Sequence, residues 1–155
     1  MKAVIQRVCE GSVLVKGEVV GRVGAGMVVL LGVLKGDTAL QAERLAKRIA
    51  LFRFFPDEKG RMNLSAVDNG LGALVVSQFT LAADGRKGRR PSFDRAADPS
   101  LAEPLYEEFV AQLASHGIPC ETGRFGAEMR VALVGDGPVT FVLEEESTPE
   151  RETAK

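Results

Sequence analysis

Two short segments carry the residues best suited to chemistry: Ser77-Gln78-Phe79-Thr80-Leu81 and Gly137-Pro138-Val139-Thr140. Each follows a strand-like apolar run, Ala73-Leu74-Val75-Val76 in the first case and Val131-Ala132-Leu133-Val134 in the second. Chain that leaves a sheet at such a point can aim backbone N–H groups and a side-chain oxygen into one space. An acyl-transfer site needs that equipment: donors for a tetrahedral oxyanion and a hydroxyl beside the carbonyl under attack.

Thr80 has three readings. As a nucleophile it needs an activating base, and none is evident. The single histidine, His116, falls at the end of an expected helix, where an imidazole interacts with the helix dipole, and no Ser-His-Asp set is apparent. As a group that positions water, Thr80 needs no base. As an ordinary strand residue it does nothing. Gln78 either orients the motif by hydrogen bonding or sits on a strand surface, and Ser77 has the same two readings. Continued strand alternation would turn Phe79 away from Gln78 and Thr80 and into the core.

The elements that must hold these segments fit one domain. A chain of 155 residues, 45% hydrophobic and 26% charged, can bury an ordinary core. The longest apolar stretch, Met27 to Leu31, is strand-sized and far short of a membrane span. The N-terminus opens on Lys2-Ala3-Val4-Ile5-Gln6-Arg7 without the three-part layout of a signal peptide, which predicts a cytoplasmic location. Cys9, Cys120 and His116 form no recognisable metal spacing, and a cytosolic chain of this size rarely needs a disulfide.

A net charge of −1 does not mark a nucleic-acid binder, but the charge is unevenly placed. Arg86, Lys87, Arg89 and Arg90 share one Gly-punctuated stretch just after the first motif. That stretch is either a solvated loop or a phosphate-binding patch beside the site. From Glu144 the tail holds five Glu against Arg151 and Lys155; residues 146–155 read as an acidic, disordered tail after a single domain of residues 1–145.

The first third reads as β. Lys2 to Cys9 is a strand that Gly11 breaks, and Ser12–Lys16 and Val19–Val23 flank a tight turn at Gly17-Glu18. Met27–Leu31, apolar on both faces, reads as a central buried strand, and the short connections favour antiparallel neighbours. Thr38 with Gln41 resembles a capping box, opening a helix with Ala42, Leu45, Ala46, Ile49 and Phe52 inward and Glu43, Arg44 and Lys47 outward. Turns at Asp57-Glu58-Lys59-Gly60 and Asp68-Asn69-Gly70 precede the strand at Ala73. A second helix starts near Asp98-Pro99-Ser100 with the stripe Leu101, Leu105, Phe109 and Leu113; Pro104 predicts regular helix only from about Glu103 or Pro104. Gly117 and Pro119 end it. Strands near Ile118–Thr122, Met129–Val134 and Val139–Leu143 close the chain. The fold class is therefore α+β, a mostly antiparallel sheet covered by two helices, with the remaining apolar sheet face buried against a second copy.

Ser77-Gln78-Phe79-Thr80-Leu81, followed about sixty residues later by Gly137-Pro138-Val139-Thr140, resembles the D-aminoacyl-tRNA deacylase family. Ile5-Gln6-Arg7-Val8, Arg89-Arg90-Pro91-Ser92-Phe93 and Thr122-Gly123-Arg124-Phe125 resemble the family too. The order of these segments covers residues 1 to about 145. The resemblance implies a cytoplasmic homodimer without metal or organic cofactor. It would hydrolyse the ester between a D-amino acid and the terminal adenosine of tRNA, and act on glycyl-tRNA as well.

The same resemblance implies residue roles. Ser77, Gln78, Phe79 and Thr80 form the catalytic motif. Between nucleophile and positioning group the residues themselves, with no base evident, favour positioning for Thr80, with the Phe79 and Thr80 N–H groups as oxyanion hole and the substrate's ribose 2′-hydroxyl helping to activate water. Gly137-Pro138, joined by a cis bond, reaches into the partner's site and excludes L-residues sterically while passing glycine. Arg7 is either a strand-edge charge or a brace for that turn. Phe125 is either core or a platform for the terminal adenine, and Met129 could line the same pocket. Arg86, Lys87, Arg89 and Arg90 would meet tRNA phosphates. One departure stands out: the family usually has Asn where this chain has Gly135, in Gly135-Asp136-Gly137-Pro138. A non-catalytic RNA-binding module and a hydrolase for another small acyl ester are the rival readings.

Overall fold

Residues 1–147 are described in the computed structural model. The expected acidic tail lies, beyond Ser147, outside the described residues. The elements run β1 (Lys2–Val15), β2 (Glu18–Val23), β3 (Gly26–Gly32), α1 (Ala39–Leu51), β4 (Phe55–Pro56), β5 (Met62–Leu64), α2 (Ala66–Asn69), β6 (Gly72–Ser77), α3 (Pro99–Ser115), β7 (Cys120–Thr122) and β8 (Arg130–Glu144). The class is α+β, as the sequence predicts.

The sheet pairing and the helix count differ from expectation. The sheet is mixed: β2-β1-β3 are antiparallel, but β3-β6 and β6-β7 are parallel. Short connections did impose antiparallel pairing where they occur. The long crossovers through α1 and α3 return the chain parallel instead. The described residues also hold three α-helices, the third being the single turn α2, capped at Ser65 and closed by left-handed Gly70 where only a turn was expected.

Gly11 does not end the first strand. β1 runs unbroken and changes partner there: Lys2–Val8 pairs with β3, Gly11–Val15 pairs with β2, and β8 follows the other edge throughout. A strand shared this way folds the sheet over on itself. The curl brings Gly21 so near β7 that a Cβ there would lie 2.3 Å from the Thr122 carbonyl oxygen. The hairpin turn is Lys16-Gly17, both at positive φ, one residue earlier than expected.

As a result β3 and β6 are covered twice. On one face Ile5, Met27, Val29, Leu31 and Val75 pack under Leu45, Ile49, Leu105, Phe109 and Leu113 of the helices. On the other, Val28, Leu74 and Val76 meet Val8 of β1 together with Val13 and Val15 from its curled part. Phe109 is fully buried, and its truncation to Ala would cost about 3–5 kcal/mol.

The helix signals were mostly sound. Thr38 N–H donates to Gln41 Oε1 at 2.8 Å, completing the capping box. In α3, Leu101 is exposed, and Ala102 and Tyr106 join the buried face instead. The helix is regular from Pro99, earlier than Pro104 suggested: Asp98 caps it, and the Ser100 carbonyl that Pro104 cannot bond lies on the solvent face. His116 ends it, its backbone N–H bonding the Leu113 oxygen.

Candidate active site

β6 delivers the first motif to the edge of the helical layer. The Gln78 N–H still donates to the Leu31 oxygen at 2.7 Å, as a last rung of the ladder. Beyond it the chain tightens into a 3₁₀ turn, Phe79–Ala82, with Leu81 N–H on the Gln78 oxygen and Ala83 N–H on the Thr80 oxygen. The Phe79 and Thr80 N–H groups sit at the start of this turn and have no acceptor among the described residues. Gln78 Nε2 donates to the Thr80 hydroxyl at 2.5 Å, so the two side chains act as a pair.

The turn overturns one expectation. Strand alternation stops at Gln78, so Phe79 is not core: the residue is 60% exposed and its ring packs edge-on against Phe93 at 5.2 Å.

A cavity of about 670 Å³ opens beside the turn. Ser77, Gln78 and Phe79 line one side, Phe125 and Met129 another, and Phe93 and Tyr106 complete the wall. Segments far apart in sequence thus share one space. Tyr106 was missed, although it is the single tyrosine and adjoins Leu105 in the α3 stripe. Its hydroxyl donates to the Val75 oxygen at 2.8 Å, and its ring lies 5.7 Å from Phe125. Burial pushes its phenol up to about 12, so it stays neutral. Among the described residues no carboxylate, histidine or lysine lines this cavity. The Cys120 thiol, on β7 and outside the cavity lining, is pushed up to about 11 by burial and stays protonated too.

Gly137 and Pro138 do not line this cavity within one chain. They lie in a bulge of β8, which is one strand rather than the two expected. Gln6 pairs with Thr140 and Val8 with Gly135, so residues 136–139 face Arg7 alone. The Gly137-Pro138 bond is cis, and both residues are exposed. Arg7 braces the bulge: its Nε donates to the Asp136 carbonyl oxygen at 3.2 Å and lies 3.3 Å from the Asp136 carboxylate. Its Nη1 donates to the Phe54 oxygen at 3.0 Å. Of the two readings of Arg7, the geometry matches the brace.

Arg86, Lys87, Arg89 and Arg90 are all exposed in a loop closed by reciprocal Asp84–Ser92 backbone bonds of 2.8 Å. Arg86 folds back on Asp84, its Nη2 2.6 Å from the carboxylate, and this guanidinium holds the Asp84 carboxyl well below the usual range. Among the described residues the patch therefore offers three unengaged cations, not four.

A family model described as D-Tyr-tRNA(Tyr) deacylase matches residues 4–144. A D-aminoacyl-tRNA deacylase of Aeromonas hydrophila is 57% identical, covering 93% of this chain and 99% of the relative. One of Chloroflexus aurantiacus is 58% identical, covering 93% and 90%. Among solved structures, the c-Myc DNA unwinding element binding protein superposes with a TM-score of 0.89 at 40% identity, covering 94% of this chain and 99% of that one. A probable eukaryotic D-amino acid tRNA deacylase shares the fold, with a TM-score of 0.80 at 18% identity over 92% and 97% of the two chains. With a family model spanning nearly all described residues and relatives above one-half identity, the chain belongs to the D-aminoacyl-tRNA deacylase family.

Proposed function

We infer that this protein is a hydrolase that cleaves the ester joining a D-amino acid to the terminal adenosine of tRNA, releasing free amino acid and tRNA. The observation that carries the reading is the single cavity that joins the Ser77–Phe79 turn to Phe125 and Met129. In this pose the adenine stacks on Phe125 beside Met129, and the ester carbonyl points at the Phe79 and Thr80 N–H groups. Water attacks the carbonyl carbon, the oxyanion is held by the two N–H groups, and the ribose oxygen leaves with a proton.

A cavity without a proton acceptor favours Thr80 as a positioning group over Thr80 as nucleophile. The Gln78–Thr80 pair then orients the water or the substrate amine, and the ribose 2′-hydroxyl supplies the proton path. Loop cations Lys87, Arg89 and Arg90, with Arg86 in part, meet acceptor-stem phosphates.

Chirality is read by a second copy. The Gly137-Pro138 bulge is exposed and braced, and exposed apolar residues surround it on β8: Val134 is 50% and Val142 64% exposed. Covering them in a homodimer would place Gly137 and Pro138 of the partner subunit against the substrate's Cα, where their main-chain atoms exclude an L side chain. Steric exclusion suits enantiomers, which carry identical groups and are poorly separated by added attraction. The same block passes glycyl-tRNA. A cytoplasmic location follows from the tRNA substrate.

Side-by-side hydrolysis of D-tyrosyl-, L-tyrosyl- and glycyl-tRNA tests this: the first and third should be cleaved and the second spared. Equal rates on the two enantiomers would sink the chiral filter. Tight tRNA binding without turnover on any substrate would sink the enzyme and leave a nucleic-acid-binding module, the function carried in the name of the 40%-identical structure.

A further inference from the structure

Behind the wall that carries Phe125 lies a second cavity, of about 640 Å³, between the Lys16-Gly17 turn and the segment 124–130. We propose that it is a subsite for the phosphodiester groups immediately 5′ to the terminal adenosine of the RNA substrate. The proposal rests on the reading that Phe125 takes that adenosine.

Charge comes first. Lys16, Arg124 and Arg130 line this cavity against a single carboxylate, Glu128. None of the three cations is within ion-pair distance of a carboxylate among the described residues, whereas Lys2, Arg7, Arg44 and Arg86 all are. Unengaged guanidinium groups facing one space form the fork that phosphate oxygens accept from.

Topology explains why they meet. Arg130 opens β8 opposite Leu14, two residues before the turn at Lys16, so the sheet register brings both cations to the same corner. Arg124 arrives from the other side, on a bend closed by the Ala127 N–H to Arg124 oxygen bond of 3.2 Å.

Continuity is the second support. Ala127 lines both cavities, while Phe125 faces the first and its neighbour Arg124 the second. Adjacent residues are about 3.8 Å apart at Cα, so an adenine stacked on Phe125 has its 5′ phosphate within reach of Arg124. Leu14 and Val15 supply an apolar floor on which the preceding base can rest. The substrate is thus gripped by its single-stranded end as well as by the Arg86–Arg90 loop.

Binding separates this proposal from turnover. Affinities for adenosine and for a deacylated CCA trinucleotide are measured on the wild-type protein, on Arg124→Gln/Arg130→Gln, on Lys16→Gln, and on Lys59→Gln/Arg61→Gln as an equal charge change on the separate β4–β5 hairpin. The wild type should bind the trinucleotide at least tenfold more tightly than adenosine. The Arg124/Arg130 variant should lose about tenfold on the trinucleotide and less than twofold on adenosine, and its log-affinity salt slope should fall by about 1.4. Lys16→Gln should lose a smaller part, Arg124→Lys should recover part of the loss, and the hairpin control should lose none. Unchanged trinucleotide affinity, or equal losses on both ligands in a variant of wild-type melting temperature, would overturn the subsite. Failure to hydrolyse D-tyrosyl-tRNA would count against the deacylase reading alone, because the binding comparison does not use it.

Discussion

Arg7 holds Asp136 by its main chain: Nε is 3.2 Å from the carbonyl oxygen, while Nη1 donates to the Phe54 oxygen on the far side. One guanidinium therefore ties β1, the chain after α1 and the β8 bulge together. Its side chain is 12% exposed, so these bonds are shielded, whereas the Asp136 carboxylate is 49% exposed and solvent screens its charge. Removing the guanidinium strips two carbonyls of a charged donor, a cost of about 2–3 kcal/mol. Arg7→Ala should lower both the melting temperature and the D/L hydrolysis ratio. Asp136→Asn keeps the carbonyl bond and should stay within about 1 kcal/mol of wild type. Comparable damage from both would mean that the side chain, not the backbone, is the anchor.

Gly137 and Gly135 make a matched pair. Gly137 has φ 130°, and a Cβ there would fall 2.7 Å from Val139 Cγ2 and 3.3 Å from Arg7 Nη2. Gly137→Ala should therefore cost about 1–3 kcal/mol in unfolding and loosen the Arg7 brace. Around Gly135 there is open space and no positive φ. Gly135→Asn, which installs the family's usual residue, should leave stability within about 0.5 kcal/mol. If its urea midpoint shifts as far as that of Gly137→Ala, the bulge is packed more tightly than its surroundings indicate.

Thr80 sits outside the cavity wall with its hydroxyl taken by Gln78. A positioning role predicts that Thr80→Ala lowers kcat on D-tyrosyl-tRNA by about 10²-fold or less, leaving the backbone N–H groups in place. Rapid acid quench followed by mass spectrometry should find no acyl group on the wild-type protein during turnover. An acylated Thr80 would establish the nucleophile instead.

How far these residues could be foreseen depended on how local their causes were. The capping box at Thr38, the buried run Met27–Leu31 and the first motif at the end of β6 are set by neighbours in sequence, and each was legible, whereas Gly137-Pro138 was expected to divide two strands and is a bulge inside β8. The partner change within β1 was not, because Gly11 looks like a breaker when its role is to let the sheet curl over Val28. Phe79 was misplaced for a similar reason. A strand's alternation was carried one residue past the last ladder bond, into a 3₁₀ turn that long-range packing imposes. Tyr106 and the cations at the second cavity come together only through tertiary register, which periodicity does not contain.

Phe125 is half-buried against the core and also faces the cavity, so its two readings predict different data. Stacking of one base on an aromatic ring contributes about 1–3 kcal/mol. Phe125→Leu keeps most of the apolar volume and should raise KM for D-tyrosyl-tRNA roughly 5- to 150-fold with little change in melting temperature. A drop in stability with unchanged KM would assign the ring to the core.

Tyr106 offers a test free of substrate. Burial raises its folded pKa from 10.0 to about 12, so the fold favours the neutral phenol. That contribution is complete below pH 10 and is lost as pH climbs through 12, a change on the order of 2 kcal/mol. Tyr106→Phe should be nearly as stable as wild type at neutral pH, because the Val75 oxygen keeps the Gly123 N–H at 3.1 Å as a second donor. Between pH 10 and 12 the wild type should lose stability that the variant retains. The chain has one tyrosine and no tryptophan, so the ultraviolet phenolate band of the native protein reports this group alone. Titration of that band near pH 10 would show the hydroxyl to be solvated and remove it from the cavity wall.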